Sequence, residues 1–571
     1  MEIKNTSIQI NTCREAKFVK KDIFRRDQMH QQQALPILDL IGTTQDAAIQ
    51  LIDCCQNADL YGFTTLSGDI SSVYQSIMPI IEAECSVKTL YFACESIVDS
   101  LNRVVELNLS DQISCAHKIE FELLPLMQIF YMNFYFYEIA SKDEENLKRY
   151  LESERFLLGA NTYIDQAKET GDYKYELSII VTGYNKLDYT KKCVQSLLKF
   201  IPKDLNYELI LLNNGSTDDT KEYFESIRPH KQVDVFRNGG GPGVVSKIIE
   251  GKYSLGISND VLVTENAIQN MLACIKSDPS IVYVVPTTPN VSNLQTISED
   301  FQNTEEMYLF AKNNNRQNPL KWEQRTRLCN PIAIYSSKDM YSSKGLLPHT
   351  YVMSEDWILF PDDKQSFIFR QNGLKMMLAK DAYCYHYGSV TIKDQVKDNE
   401  YYSNGRKIFQ KTFGIDPWGK GFCYDNTLFK ELSLAKKDNA TILGISPGMG
   451  SNPLKFKTLL RELGSKETKL YLTTEEEHFL PDYETYTDPE YICITEPRNF
   501  TTVFPDETFD YITVETKISI AEGAALKKRL KSGGLLIINA TGAKMLEMLK
   551  RTSPTKVVDC RSHRWYVFTN K

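Results

Sequence analysis

The sequence predicts a multidomain chain: an N-terminal α-helical domain over residues 1–172, a central α/β Rossmann-like domain over 173–432 and a C-terminal α/β Rossmann-like domain over 436–571. Three observations carry that prediction. From Leu35 to Lys168 apolar residues recur at helical spacing with few interruptions. From Glu176 onward short β-branched apolar runs alternate with helix-like segments, the order that builds a parallel sheet. After Asn439 the same alternation starts again, behind a stretch in which aromatic and glycine residues give way to lysine-rich polar ones.

Composition bounds the class. With 571 residues and 42% hydrophobic content the chain can bury large cores, and length alone suggests roughly three or four domains of ~150 residues. A net charge of -8 and a pI near 5.6 give no electrostatic reason to expect a nucleic-acid partner. The 13 cysteines are odd in number and include no C-x-x-C pair, which fits a reducing compartment better than a disulfide framework. Cys54 and Cys55 are adjacent and near no histidine cluster, which argues against zinc there. Residues 1–33 are polar and charged, with no apolar core of signal-peptide length, so the expectation is a cytoplasmic protein.

In the N-terminal part, residues 46–55, 72–83, 87–106, 112–139 and 144–166 are expected as helices, with breaks at Tyr61-Gly62, Leu107-Asn108 and Ser141-Lys142-Asp143. Residues 123–140 are the most membrane-like run, but Pro125, Gln128, Asn133 and Glu138 interrupt it and it is barely long enough to span. It reads as a buried helix whose aromatic stripe, Phe130, Tyr131, Phe134, Tyr135, Phe136 and Tyr137, is core. No repeat of fixed period is evident.

The central part carries the chemistry. Leu177-Ser178-Ile179-Ile180-Val181 has buried-strand character and stops at Thr182-Gly183-Tyr184-Asn185. Tyr207-Glu208-Leu209-Ile210-Leu211-Leu212 repeats the pattern and stops at Asn213-Asn214-Gly215-Ser216-Thr217-Asp218, with helix-like residues 191–199 between the two. A third run, Tyr253-Ser254-Leu255-Gly256-Ile257, ends at Ser258-Asn259-Asp260. In a parallel sheet ligands bind outside the carboxyl ends of the strands, where all three polar clusters fall. Asn238-Gly239-Gly240-Gly241-Pro242-Gly243 opens the next helix, and its missing Cβ atoms would let backbone N–H groups approach a ligand, though a turn alone would also explain it.

These motifs, in this order, resemble the nucleotide-binding half of a family 2 glycosyltransferase with a GT-A fold. Val181 to Asn185 matches its V-x-x-Y-N pattern, and Asn213 to Asp218 its D-N-G-S-x-D pattern with Asn213 in place of the usual Asp. Ser258-Asn259-Asp260 matches its D-x-D-like motif but keeps only the last acid. The resemblance implies a nucleotide-sugar site formed by Thr182, Tyr184, Asn185, Asn213, Asn214, Ser216, Asp218, Asn238, Gly240, Asn259 and Asp260. It also implies Mn2+ or Mg2+ held by Asp260, because an oxygen-ligated cation offsets the charge growing on a diphosphate leaving group.

Further on, Ser354-Glu355-Asp356-Trp357 resembles the acidic pair that supplies the family's general base, assigning that role to Asp356 or Glu355, with Arg370 and Gly373 as the tail of the motif. Asp362-Asp363 lies nearer to Arg370, so the template can be laid on either pair. Tyr383-Cys384-Tyr385-His386-Tyr387-Gly388-Ser389 resembles the segment whose His closes the site over diphosphate and metal, which makes His386 the second metal-site residue. Residues 281–286 read as a strand, and 287–328, polar and Asn-rich, as an acceptor-side insertion or mobile loop.

The C-terminal part reads as strand 441–445, loop Ser446-Pro447-Gly448-Met449-Gly450, helix 454–463, strands 469–473, 491–495 and 511–515, helix 521–531 and strand 535–539. That order resembles an S-adenosylmethionine methyltransferase. Gly444 stands where that family has an acid and Ser446 where it has the first glycine of its loop, leaving Glu475 or Glu476 as the ribose carboxylate. The expectation is a non-catalytic, methyltransferase-like module for dimerisation or acceptor binding, with S-adenosylmethionine possible but not favoured.

Together the resemblances imply a metal-dependent inverting glycosyltransferase that moves a sugar from a nucleotide sugar, UDP-sugar favoured, to a hydroxyl of a bulky protein or glycan acceptor. A bacterial surface protein such as flagellin, or a surface glycan, are the candidates, and a homo-oligomer formed through the N- or C-terminal domain is possible. Two alternatives stand beside it: a catalytically inert GT-A scaffold protein, favoured by the losses at Asn213 and Ser258, and a bifunctional glycosyl/methyltransferase.

Overall fold

The computed structural model describes residues 31–85, 88–107, 109–142, 145, 161–235, 241–297, 299–342, 345–346, 360–388, 403, 405–407, 409–410, 413–540, 553–560 and 563–570. The chain divides into two compact units. One is formed by residues 1–269, 331–361 and 384–402, the other by 270–330, 362–383 and 403–571.

The first unit begins with helices α1 (Gln31–Asn57), α2 (Leu60–Glu84), α3 (Lys88–Leu107), α4 (Gln112–Lys118), α5 (Leu124–Glu138) and α6 (Thr162–Thr170). The expected break at Tyr61-Gly62 falls slightly earlier. Asp59 is the N-cap of α2 and its carboxylate accepts the Gly62 N–H, so Tyr61 and Gly62 lie in the first turn. The segment expected at 72–83 is the second half of that longer helix. The helix expected at 112–139 is interrupted by a π-helical turn, Ile119–Leu123. Most of the helix expected at 144–166 lies outside the described residues.

The aromatic stripe is core, as its composition suggests: Phe130, Phe134 and Phe136 are fully buried. No helix among the described residues is long and apolar enough to cross a membrane. The helices share one hydrophobic core with the sheet that follows, in which Tyr74, Phe130 and Phe134 are continuous with Ile180, Ile210, Leu212, Val233 and Val244. Each of these side chains stabilises the fold by about 1.5–3 kcal/mol relative to exposure.

Along the chain come β1 (Tyr175–Gly183), α7 (Leu187–Phe200), β2 (Tyr207–Asn214), α8 (Thr220–Ile227), β3 (Lys231–Val235), α9 (Gly241–Ile248), β4 (Gly251–Ser258), β5 (Val261–Leu262), β6 (Ile281–Thr287), β7 (Trp322–Gln324), β8 (Ile332–Ser336), α10 (Pro361–Gln371), β9 (Lys375–Tyr383) and β10 (Tyr385–His386). In the first unit the strand order is β3-β2-β1-β4-β8. The first four strands are parallel and β8 runs antiparallel to β4. The register pairs Gly183 with Asn213 and Thr182 with Ser258, so the polar clusters at the ends of β1, β2 and β4 emerge side by side.

Strand β3 is an edge, and edges leave backbone groups unpaired. Here the helices supply the missing partners. Asp234 N–H donates to Glu122 Oε2 at 3.0 Å, Gln232 N–H donates to His117 Nε2 at 3.2 Å, and Arg103 donates to the Asp234 carbonyl at 2.7 Å. The π turn brings Glu122 to this edge, fully buried between Arg103 and the strand.

In the second unit β6 pairs with β9 in parallel and β7 pairs with β9 antiparallel. After α11 (Asn426–Glu431) come β11 (Asn439–Ile445), α12 (Ser451–Glu462), β12 (Glu467–Thr474), β13 (Ile492–Ile494), β14 (Phe509–Val514), α13 (Ile520–Lys528), β15 (Leu530–Ala540), β16 (Lys556–Asp559) and β17 (Arg564–Thr569). These strands form one sheet in the order β13-β12-β11-β14-β15-β17-β16. β11 to β15 are parallel and β17 is antiparallel to both β15 and β16. Elements expected between residues 441 and 539 are present, whereas the final hairpin of β16 and β17 was not foreseen.

Of the two expectations at 287–328, an acceptor-side insertion or a mobile loop, the structure corrects the loop. That stretch contains a helix, Thr304–Asn314, and strand β7, and it buries Glu323, Arg325 and Arg327. Its buried charges are paired: Lys455 Nζ lies 2.9 Å from Glu323 Oε2, and Arg327 holds Asp363 through two bonds of 2.5 and 3.1 Å. At Glu323 and Arg327 polarity signals buried ion pairing, whereas Glu299, Asp300, Glu305, Glu306, Lys312 and Arg316 are exposed to solvent.

Candidate active site

The site is built in the first unit, at the carboxyl ends of β1, β2 and β4. Past β1 the chain turns through Asn185 and Lys186, both with positive φ (54° and 60°), before α7 starts. Asparagine tolerates this left-handed backbone better than most residues. Its side chain then ties two loops together: Asn185 Oδ1 accepts the Thr217 N–H at 2.8 Å, while Asn185 N–H donates to Ser216 Oγ at 2.9 Å.

The loop after β2 is fixed from within. Asn213 Oδ1 accepts the Ser216 N–H at 3.0 Å, and Asn213 Nδ2 donates to Asp234 Oδ1 at 3.1 Å. An Asp at 213 would bring two carboxylates together at that contact, so the amide suits this chain's neighbour. Asp234 in turn receives Lys118 Nζ at 3.2 Å, which links the loop to the helical part. Asp218 accepts the Leu187 N–H at 3.0 Å and the Thr220 hydroxyl at 2.5 Å, anchoring the starts of α7 and α8. Asn259, buried, donates to the Asn185 carbonyl and to Thr190 Oγ1, each at 2.9 Å.

Asp260 and His386 meet at the same edge. Their side chains approach to 3.3 Å, Asp260 Oδ2 to His386 Nε2. The short pairing of β5 with β10, Leu262 opposite Tyr385 and Val261 opposite His386, sets that contact, and Tyr387 N–H donates to the Asp260 carbonyl at 3.0 Å. The donor set fits a divalent cation. Neighbouring ligands on an octahedral ion with bonds of about 2.1 Å sit about 3 Å apart, and a carboxylate oxygen with a neutral imidazole nitrogen suits Mn2+ as well as harder ions. Tyr387 packs edge-on against Tyr189 and Tyr385, at centroid distances of 4.9 and 5.1 Å, bracing this corner.

The structure thus brings together Asn185, Asn213, Ser216, Asp218 and Asn259 in one hydrogen-bonded frame, beside Asp260 and His386. Thr182 and Tyr184 are half-buried at the end of β1, and Asn214 is buried at the end of β2. Asn238, Gly240, Glu355 and Asp356 lie outside the described residues. Asp234, Lys118 and Arg103 went unnoticed in the sequence. They are distant in sequence and carry no local motif.

The second acidic pair belongs to the second unit, and its members differ. Asp363 is bound by Arg327 and by Trp418 Nε1 at 3.1 Å. Burial pushes the Asp362 carboxyl up to about 6, with Arg327 opposing and Asp363 reinforcing the rise. Arg370, expected as the tail of the base motif, is buried and paired with Asp482.

The glycine loop after β11 is covered by its own chain. Met449 N–H donates to the Lys420 carbonyl at 2.9 Å, and Lys420 Nζ donates to Ser446 Oγ at 2.9 Å. A Cβ at Gly448, whose φ is +59°, would come within 2.1 Å of the Lys420 carbonyl oxygen. The backbone surface that would face a cofactor is therefore in contact with Lys420 and Gly421.

Residues 178–336 match the family model described as Glycosyl transferase family 2. The match is to this segment and not to the chain as a whole. It spans β1 to β8 and so contains the frame just described. A 102-residue stretch is 26% identical to an uncharacterized glycosyltransferase of Rickettsia bellii, covering 17% of this chain and 14% of that one. A 117-residue stretch is 27% identical to the poly(ribitol-phosphate) beta-N-acetylglucosaminyltransferase TarS of Staphylococcus aureus, covering 19% of this chain and 20% of the relative. The chain therefore matches a fifth or less of the length of these relatives. Among solved structures, TarS residues 1–349 in complex with UDP-GlcNAc is similar at 17% identity and a TM-score of 0.29, over 42% of this chain and 66% of that one.

Proposed function

We propose that this chain is a metal-dependent inverting glycosyltransferase using a nucleotide sugar. The observation that carries the reading is the meeting of Asp260 with His386 beside the frame of Asn185, Asn213 and Asp218, of which Asp260 and the frame lie in the segment similar to family 2. Asp260 and His386 would hold the divalent cation, which would offset the charge of the departing nucleoside diphosphate. The frame residues would hold the loops against which base and ribose rest. In the transfer, an acceptor hydroxyl gives its proton to a carboxylate as its oxygen bonds to the anomeric carbon. The bond from that carbon to the diphosphate oxygen breaks on the opposite face, and the configuration inverts.

The carboxylate we assign to this step is Asp356, with Glu355 beside it. Asp362 is the alternative, supported by a carboxyl already raised toward neutrality, whereas Asp363 is occupied by Arg327. Asp356→Asn is expected to lower kcat by ~100-fold or more with nucleotide affinity unchanged. Loss in Asp362→Asn instead would move the base there.

A UDP-sugar donor is the preferred reading, in keeping with the UDP-GlcNAc complex of TarS. The acceptor we propose is a bulky bacterial surface protein or glycan. We keep the domain limits 1–172, 173–432 and 436–571, and a cytoplasmic location, supported by the 12 described cysteines all being free. The C-terminal sheet order supports a methyltransferase-like module, and the covered glycine loop supports its being without S-adenosylmethionine chemistry. Titration of the full chain with S-adenosylmethionine should show no heat of binding, and micromolar affinity would instead favour a bifunctional enzyme.

A further inference from the structure

We propose that Asp425, Cys560 and His563 form a zinc-class metal site that staples the final hairpin to the segment preceding the C-terminal sheet. The three residues come from two places far apart in sequence. Asp425 is the N-cap of α11, and Cys560 and His563 stand in the turn between β16 and β17. One ligand atom from each lies within 4.8 Å of the others. Asp425 Oδ2 is 2.7 Å from His563 Nε2 and 3.1 Å from Cys560 Sγ.

The carboxylate is held in a way that suits a metal ligand. Its Oδ1 accepts the N–H groups of Thr427 and Leu428, at 3.0 and 3.3 Å, which fixes its plane. Its Oδ2 faces the thiol and the imidazole and also accepts Trp565 Nε1 at 2.7 Å, an outer contact of the kind that orients metal-binding carboxylates. Cys560 N–H donates to the His563 carbonyl at 3.0 Å, which holds the two residues of the C-x-x-H spacing beside each other. Tetrahedral bonds of about 2.0 Å to nitrogen and oxygen and about 2.3 Å to sulfur place ligand atoms roughly 3.2–3.6 Å apart. Loading therefore needs the ligand atoms to open by about half an ångström, with the thiol proton released.

Donor chemistry selects the ion. A thiolate with an imidazole and a carboxylate favours zinc over Mg2+ or Mn2+, which prefer oxygen ligands. The site is thus separate in kind from Asp260 and His386. With side chains 24% exposed at His563 and 14% at Asp425, the cluster is reached by solvent, from which a fourth ligand would come. Its consequence is structural: β16 and β17 would be tied to α11 by coordination as well as by hydrogen bonds.

The test uses the full chain, freed of metal by dialysis against a chelator. Alkylation of Cys560 by iodoacetamide, followed by peptide mass spectrometry, should slow at least about tenfold when one equivalent of Zn2+ is added. Co2+ in place of zinc should produce a thiolate charge-transfer band that Cys560→Ala removes and Asp260→Ala leaves intact. An alkylation rate indifferent to Zn2+ would overturn the proposal without reliance on any variant, and would leave the cluster as a hydrogen-bonded cap. A cobalt band that persists in Cys560→Ala would overturn it equally.

Discussion

Asp362 and Asp363 show how far single residues with the same chemistry can be driven apart. Asp363 sits in a buried ion pair with Arg327, while burial raises its neighbour to about 6. An ordinary aspartate in the unfolded chain titrates near 3.9. Between those values the folded chain binds the extra proton, so stability falls as pH rises through this window and the loss is complete above about 7. Asp362→Asn removes that loss. Its melting temperature should exceed the wild type's by a few degrees at pH 8 and equal it at pH 4, read by calorimetry. Neither aspartate's state could be read from the sequence, because Arg327 lies in a stretch whose polarity suggested a loop. The same blindness applies to Asn213, whose departure from the family pattern looked like a loss. Opposite Asp234 it is the residue that avoids a pair of carboxylates.

At the scale of elements, periodicity served well wherever local pattern decides structure. The ends of β1, β2 and β4, and most of the C-terminal sheet, fall where apolar runs give way to glycine and polar residues. What it missed depends on distant partners. The π turn at Ile119–Leu123 has no signature of its own, and its purpose appears only beside β3, where Glu122 accepts the Asp234 N–H and pairs with Arg103. Glu122→Ala would leave the Asp234 edge N–H without its acceptor and Arg103 with only Asp99 and the Asp234 carbonyl, at a cost of about 1–3 kcal/mol. Urea denaturation should show that loss, with Glu122→Gln recovering part of it. A loss below about 0.5 kcal/mol would mean the edge is covered by water instead. The hairpin of β16 and β17 escaped for a related reason: its antiparallel pairing joins the sheet through β15, after a stretch with no alternating pattern.

For the whole molecule, the division into two units cuts across the domains that the sequence suggests. Residues 270–330 and 362–383 form one compact body with 403–571. Buried charges explain why: Arg370 pairs with Asp482, Lys455 with Glu323, and Thr326 Oγ1 meets Ser451 Oγ at 2.6 Å. A chain ended at Lys436 would strand the buried Arg370 without Asp482, at about 3–5 kcal/mol, and remove Lys455 from Glu323, which keeps Arg325 and Lys380. Such a truncation should fail to give a cooperative melt and be cleared rapidly by limited proteolysis within 270–383. A protease-resistant product would contradict the packing of 270–330 and 362–383 with 403–571 as one body. The central claim, however, rests on Asp260. The direct measurement is turnover of UDP-sugar by the full chain with Mn2+, with excess EDTA, and with Asp260→Ala under matched folding by circular dichroism. The account predicts turnover with Mn2+ only, and its loss by ~100-fold or more in the variant. Undiminished turnover in EDTA, or in Asp260→Ala, would contradict it.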